Sequence, residues 1–266
     1  FVEDYETLED PQGFHRNLNL TYAVRDGIIL HCGEVDENGI VPRNETIDLS
    51  KIDEPSQYSP YTWEACVVKI SDKIAYLGRD IEDALSLNLL SPYEKNKLKK
   101  LIQRYYNVSL KGINNTILMH NFIIDLCDNS NTDKGICLSK KNLDLMKEIK
   151  QFNQKTIYNH WKTDNYKKYA ELVINSIFDM LKKRFYKGDK TINEIEKNTE
   201  QYPILASTFK EWILKYTASK HRPEKYKNKI LFDLKNENDY KRAAIDFISG
   251  MTDSFAIKIF NEIIKF

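Results

Sequence analysis

Thr62-Trp63-Glu64-Ala65-Cys66-Val67-Val68-Lys69-Ile70-Ser71-Asp72-Lys73-Ile74-Ala75-Tyr76-Leu77-Gly78-Arg79-Asp80-Ile81-Glu82-Asp83-Ala84-Leu85 is the stretch on which the reading of this sequence turns. Its apolar residues Trp63, Cys66, Val67, Ile70, Ile74, Leu77, Ile81, Ala84 and Leu85 recur at steps of three and four, the repeat of one helix face. Thr62 is placed as the N-cap, although Ala65 stands where a capping box would have Glu. At about 100° per residue, Asp72, Tyr76, Asp80 and Asp83 fall within an arc of roughly 80° opposite the apolar stripe, with Lys69 and Lys73 within or beside it.

Such a stripe has chemical uses. A carboxylate is a hard oxygen ligand for a metal ion. A second carboxylate two turns away can accept hydrogen bonds from sugar hydroxyls. A Tyr between them offers a flat apolar face with a polar tip, and a Lys is a point charge for phosphate. A solvated outer face of an amphipathic helix has the same pattern and is the commoner origin of it. Three carboxylates on one face repel unless something offsets them, and Lys69 and Lys73 are themselves able to do so.

The helical repeat extends along the chain. Residues 21–32 read as a short helix ending at Gly33. Further helical stretches run about 91–105, 113–128, 139–160, 165–187, 191–197, 202–219 and 238–265. No segment sustains a period of two, so the expected fold class is all-α, packed by ridges and grooves, with at most a small β-hairpin near 35–50 at Asn38-Gly39. Trp161 and Trp212 sit in apolar helical patterns and are expected in the core.

Composition narrows the function classes. The chain has 266 residues, is 41% hydrophobic and 30% charged, and so can bury a sizeable core. Its net charge is +1, but residues 1–60 carry 13 acidic and 4 basic side chains and the remainder carries 26 acidic and 36 basic. A basic C-terminal body suits phosphate-rich ligands, although a solvated Lys-rich surface is the commoner explanation. The loop from Lys215 to Lys229, with His221-Arg222-Pro223, is a weak candidate for an allosteric or nucleic-acid patch. Cys32, Cys66, Cys127 and Cys137 form no CxxC pair and are read as free thiols of a cytoplasmic protein. No apolar run approaches 18 residues, so no membrane span is expected.

The wording of the sequence goes further than its periodicity. Asp72, Ile74-Ala75-Tyr76, Asp80 and Asp83-Ala84 resemble the last metal-ligand motif of HD-domain deoxynucleoside triphosphate triphosphohydrolases, the dGTPase-like family, with Ser71 in place of Ala and Arg79 in place of His. Asn19-Leu20-Thr21…Val24-Arg25…Gly27-Ile28, Phe152-Asn153…Ile157-Tyr158 and Asp246-Phe247-Ile248…Gly250-Met251-Thr252-Asp253 resemble three further blocks of that family, in the same order.

The resemblance implies an HD-like helical assembly and hydrolysis of a dNTP to deoxynucleoside and triphosphate. It implies a divalent metal (Mg, Mn, Fe, Co or Zn) bound at Asp72 and a substrate held by Lys73, Tyr76 and Asp80. Tyr76 would lie against the deoxyribose, and Asp80 would bind its 3′-hydroxyl. It also implies a dNTP partner and the option of a homo-oligomer.

The family's metal site needs an earlier His and a His-Asp pair, and no His here is followed by Asp. The expectation is therefore a C-terminal portion, with residues 1–90 ending an HD core and 91–266 forming a helical C-terminal region. The remaining ligands and the catalytic groups would lie upstream, and the 266 residues alone would be inactive. The rival readings are another HD phosphohydrolase, or a non-catalytic helical module that binds nucleotides or a partner.

Overall fold

A computed structural model describes residues 2–33, 38–106 and 115–265. The fold is all-α as expected: ten α-helices and one two-stranded antiparallel sheet among the described residues. None of these helices is long and apolar enough to cross a membrane. The chain packs as two compact units, residues 20–165 and residues 1–19 with 166–266.

In the unit of residues 20–165, α1 (Tyr22–Leu30) begins at Thr21, whose hydroxyl accepts the Val24 amide at 3.4 Å. It stops at Leu30, short of Gly33, which takes a left-handed φ of +126°. α2 (Trp63–Ser86) starts at the predicted cap, with the Ala65 amide 3.3 Å from the Thr62 hydroxyl. α3 (Pro92–Tyr106), α4 (Asn115–Asn129) and α5 (Lys140–Asn153) follow, and α5 runs on into a π-helical turn, Gln154–Tyr158.

The α2 stripe Ile70, Ile74, Leu77 and Ile81 lies at the centre of the core. Leu98 and Ile102 of α3, Leu118 and Phe122 of α4, and Leu145, Ile149 and Phe152 of α5 surround it. α1 approaches α2 where Gly27 faces Ala65; a Cβ on Gly27 would lie 3.1 Å from that of Ala65, so the residue must stay small.

The long connection before α2 is anchored by a buried ion pair. Arg43 bonds Asp26, which is fully buried, and also donates to the carbonyls of Glu45 at 2.8 Å and Ser59 at 2.7 Å and to the Tyr22 hydroxyl at 2.7 Å. The second Asp26 oxygen accepts the Tyr61 amide at 2.7 Å.

The expected hairpin at Asn38-Gly39 does not form at its described residues; 34–37 lie outside them. Gly39 and Ile40 pair instead with Ile136, and the Asn38 side chain bonds both backbone groups of Leu138. Residues 113–114 of another expected helix also lie outside the described residues.

In the other unit, the sheet is β1 (Thr7–Glu9) with β2 (His15–Asn17), joined across Pro11-Gln12-Gly13. α6 (Trp161–Lys182), of which residues 166–182 belong to this unit, contributes Val173, Ile177 and Leu181, and α7 (Asp189–Lys197), α8 (Pro203–Lys215), α9 (Glu237–Ser249) and α10 (Asp253–Ile264) complete the core. The β2 backbone pairs with the basic loop, His15 with Lys225 and Lys227. Arg222 orders that loop by donating to the carbonyls of Lys215 and Asn228.

The single helix expected over 238–265 is two helices. The chain breaks at Gly250-Met251, and Thr252 caps the second helix by accepting the Phe255 amide at 3.3 Å. Trp212 is half-buried in an aromatic group with Phe209, Tyr216 and Phe247. Trp161 is not in the core: it is 63% exposed, because it opens α6 and the first buried position of that helix is Val173.

Candidate functional site

The site stretch is the second half of α2. Asp72 is exposed and has no hydrogen bond or ion pair among the described residues, whereas the later carboxylates of the stripe are engaged. Asp83 is paired with Arg79 at 3.3 Å, and Arg79 also reaches Glu82 at 3.5 Å. The residue standing where the family has His is thus an exposed partner of neighbouring acids. Asp80 is half-buried and accepts a hydrogen bond from the hydroxyl of Tyr158. Burial pushes the Asp80 carboxyl up from its ordinary value; the bond from Tyr158 opposes this, and the nearby Asp83 charge adds to it.

Tyr76 is half-buried and packs against the core cluster. The two lysines are placed differently from what their angular position on the helix suggests. Lys69 is fully buried, and its ammonium donates to the Ser56 hydroxyl at 3.2 Å. Lys73 is 5% exposed, on the covered side of the helix. The connection before α2 reaches Lys69 through Ser56, and Asp72 stays open.

Two residues of the site were not singled out by sequence reasoning. Tyr158 and Asn153 stood only in a block of resemblance. On α-helical periodicity, residues five apart point about 140° away from each other, so nothing in the repeat brings both to α2. The π-helical turn does so: Tyr158 meets Asp80, and the Asn153 amide donates to the Leu77 carbonyl at 3.2 Å.

The other blocks have structural roles. Thr21, Asp26 and Gly27 shape α1 and its contact with α2. Asp246 accepts a hydrogen bond from Tyr5 at 2.5 Å.

Among the described residues, no three His, Cys, Asp or Glu side chains gather closely enough to hold a metal ion. The residues present therefore do not make a metal site by themselves; Asp72 is a single carboxylate.

Residues 213–262 match the model of the phosphohydrolase-associated domain. The chain is 27% identical over 267 residues to a deoxyguanosinetriphosphate triphosphohydrolase-like protein of Rickettsia bellii, covering 96% of this chain and 64% of that protein. It is 28% identical over 273 residues to the protein of the same name from Pelagibacter ubique, covering 92% and 62%. The chain thus spans a little under two thirds of the length of these curated relatives. Across nearly all of its own length it is similar to proteins named deoxyguanosinetriphosphate triphosphohydrolase-like.

Proposed function

We propose that this chain carries the substrate-facing helix of a dNTP triphosphohydrolase, which splits a dNTP into deoxynucleoside and inorganic triphosphate. The observation that carries the reading is the contrast along α2: Asp72 is exposed and has no partner among the described residues, while Asp80 is half-buried and oriented by Tyr158. A carboxylate with one oxygen taken by a phenol keeps the other as an acceptor for a single ligand hydroxyl. That suits a sugar 3′-hydroxyl, with Tyr76 beside the sugar; Lys73, buried on the covered side of α2, would reach a phosphate only by leaving that cover. Asp72 would supply one ligand of a divalent metal, the other ligands coming from outside the described residues.

Turnover of a dNTP panel, with inorganic triphosphate as the readout, tests the reading. Triphosphate and deoxynucleoside are expected as products of the active enzyme. Release of mono- or pyrophosphate instead would assign it to another class of HD phosphohydrolase.

One observation favours a second reading, a non-catalytic nucleotide-binding module: the described residues hold no three-ligand cluster. Deoxynucleotide binding without turnover, in a protein supplied with every metal named above, would support it.

A further inference from the structure

Asn153 is fully buried at the end of α5. Its amide nitrogen donates to the Leu77 carbonyl, but its Oδ1 has no hydrogen-bond partner among the described residues. A buried acceptor left bare lowers stability relative to an apolar side chain of the same shape, so the position calls for another reason to hold Asn.

Leu77 lies on α2 between Tyr76 and Asp80. The π-helical turn closes its bonds between residues five apart, which stacks Tyr158 over the side occupied by Asn153. One short segment therefore reaches α2 at two points, Leu77 and Asp80, almost one turn apart. The bond to Asp80 fixes where the phenol ends; the anchor at Asn153, five residues earlier on the same segment, fixes the direction from which it comes.

We propose that Asn153 is a positioning residue: by tying the start of the π-helical turn to the backbone of α2, it holds Tyr158 on Asp80 and so fixes which carboxylate oxygen faces the substrate sugar. This rests on the deoxynucleotide reading of Asp80. Among the described residues, the groups that act on Asp80 are the Tyr158 hydroxyl and the charge of Asp83, which is held by Arg79.

The test is a carboxyl-detected NMR titration of Asp80 in the 266-residue chain, as wild type, Tyr158→Phe and Asn153→Leu, with thermal melting of each. Tyr158→Phe should raise the Asp80 midpoint by about half to one pH unit, the worth of one hydrogen bond. Asn153→Leu should reproduce that rise with a Tm equal to or above wild type. If Asn153→Leu does not fold, Asn153→Ala removes the same donor and gives the same readout.

An unchanged Asp80 midpoint in the folded Asn153 variant overturns the proposal. So does a rise that comes only with a large fall in Tm, which would make Asn153 structural. The titration needs no nucleotide, so a chain that fails to bind deoxynucleotides refutes the functional reading separately.

Discussion

Tyr158 donates its phenolic hydrogen to the carboxylate of Asp80, a residue 78 positions earlier in the chain. The bond joins the π-helical turn after α5 to the outer face of α2, and it decides how a half-buried carboxylate is presented. Asp72, two turns earlier on the same helix, has no such partner among the described residues. One helix thus carries two carboxylates in different conditions, one oriented and one open to a ligand.

The orientation of Asp80 has a pH signature. Burial raises its pKa in the folded chain above the ordinary 3.8. Below that value both folded and unfolded chains hold the proton and Asp80 carries no penalty. As pH rises the unfolded chain releases its proton first, so stability is lost up to the folded titration. Asp80→Asn has no proton to lose and keeps an acceptor for Tyr158. Denaturant unfolding should find the variant equal to wild type near pH 3 and the more stable of the two near pH 7. An advantage at pH 3, or none at pH 7, would contradict the burial argument.

Asp72→Ala should separate fold from function. The side chain is exposed and has no partner among the described residues, so unfolding free energy should stay within about 0.5 kcal/mol of wild type. In the active enzyme the same change should lower metal content and reduce turnover on the order of 100-fold or more. Normal turnover and metal content would make Asp72 a surface charge.

The buried pair of Asp26 and Arg43 holds the connection before α2 in place. Arg43→Met leaves a fully buried carboxylate without its counter-charge and should cost about 3–5 kcal/mol in urea unfolding. Replacing both residues, as Asp26→Leu with Arg43→Met, should recover part of that loss. A single variant no less stable than wild type would show that the pair does not hold the connection.

In the other unit, Tyr5 stacks on Trp212 and Phe232 and bonds Asp246. Tyr5→Phe keeps the ring and removes the bond, so thermal unfolding should show a loss of about 1.5–3 kcal/mol. An unchanged melt would mean that the ring alone holds the N-terminal segment.

Much of this was legible in the residues. The three-and-four repeat of Ile70, Ile74, Leu77 and Ile81, with Thr62 before it, gave α2 to within a residue at its start. The face of Asp72, Tyr76 and Asp80 followed from the same repeat.

Other features were not legible, for identifiable reasons. A helical projection cannot tell what lies over a face, so Lys69 and Lys73 fell on the charged arc although they are buried. Asn38-Gly39 carries the local signal of a hairpin, but its partners are Ile136 and Leu138, about 100 positions away and beyond the reach of any local signal. Tyr158 was hidden because a π-helical turn changes the repeat on which the reading depended. The break at Gly250 was missed although Thr252, a good cap, stood two residues on.

The central claim is that α2 presents a deoxynucleotide-recognising face centred on Asp80. Calorimetric binding of the four deoxynucleoside triphosphates and their ribonucleotide counterparts, to wild type and to Asp80→Asn, tests it most directly. The account predicts that at least one deoxynucleotide binds in preference to its ribonucleotide, and that Asp80→Asn weakens this binding by about tenfold, the worth of one charge-assisted hydrogen bond. Equal binding of both sugars, or deoxynucleotide binding unchanged by Asp80→Asn, would contradict it.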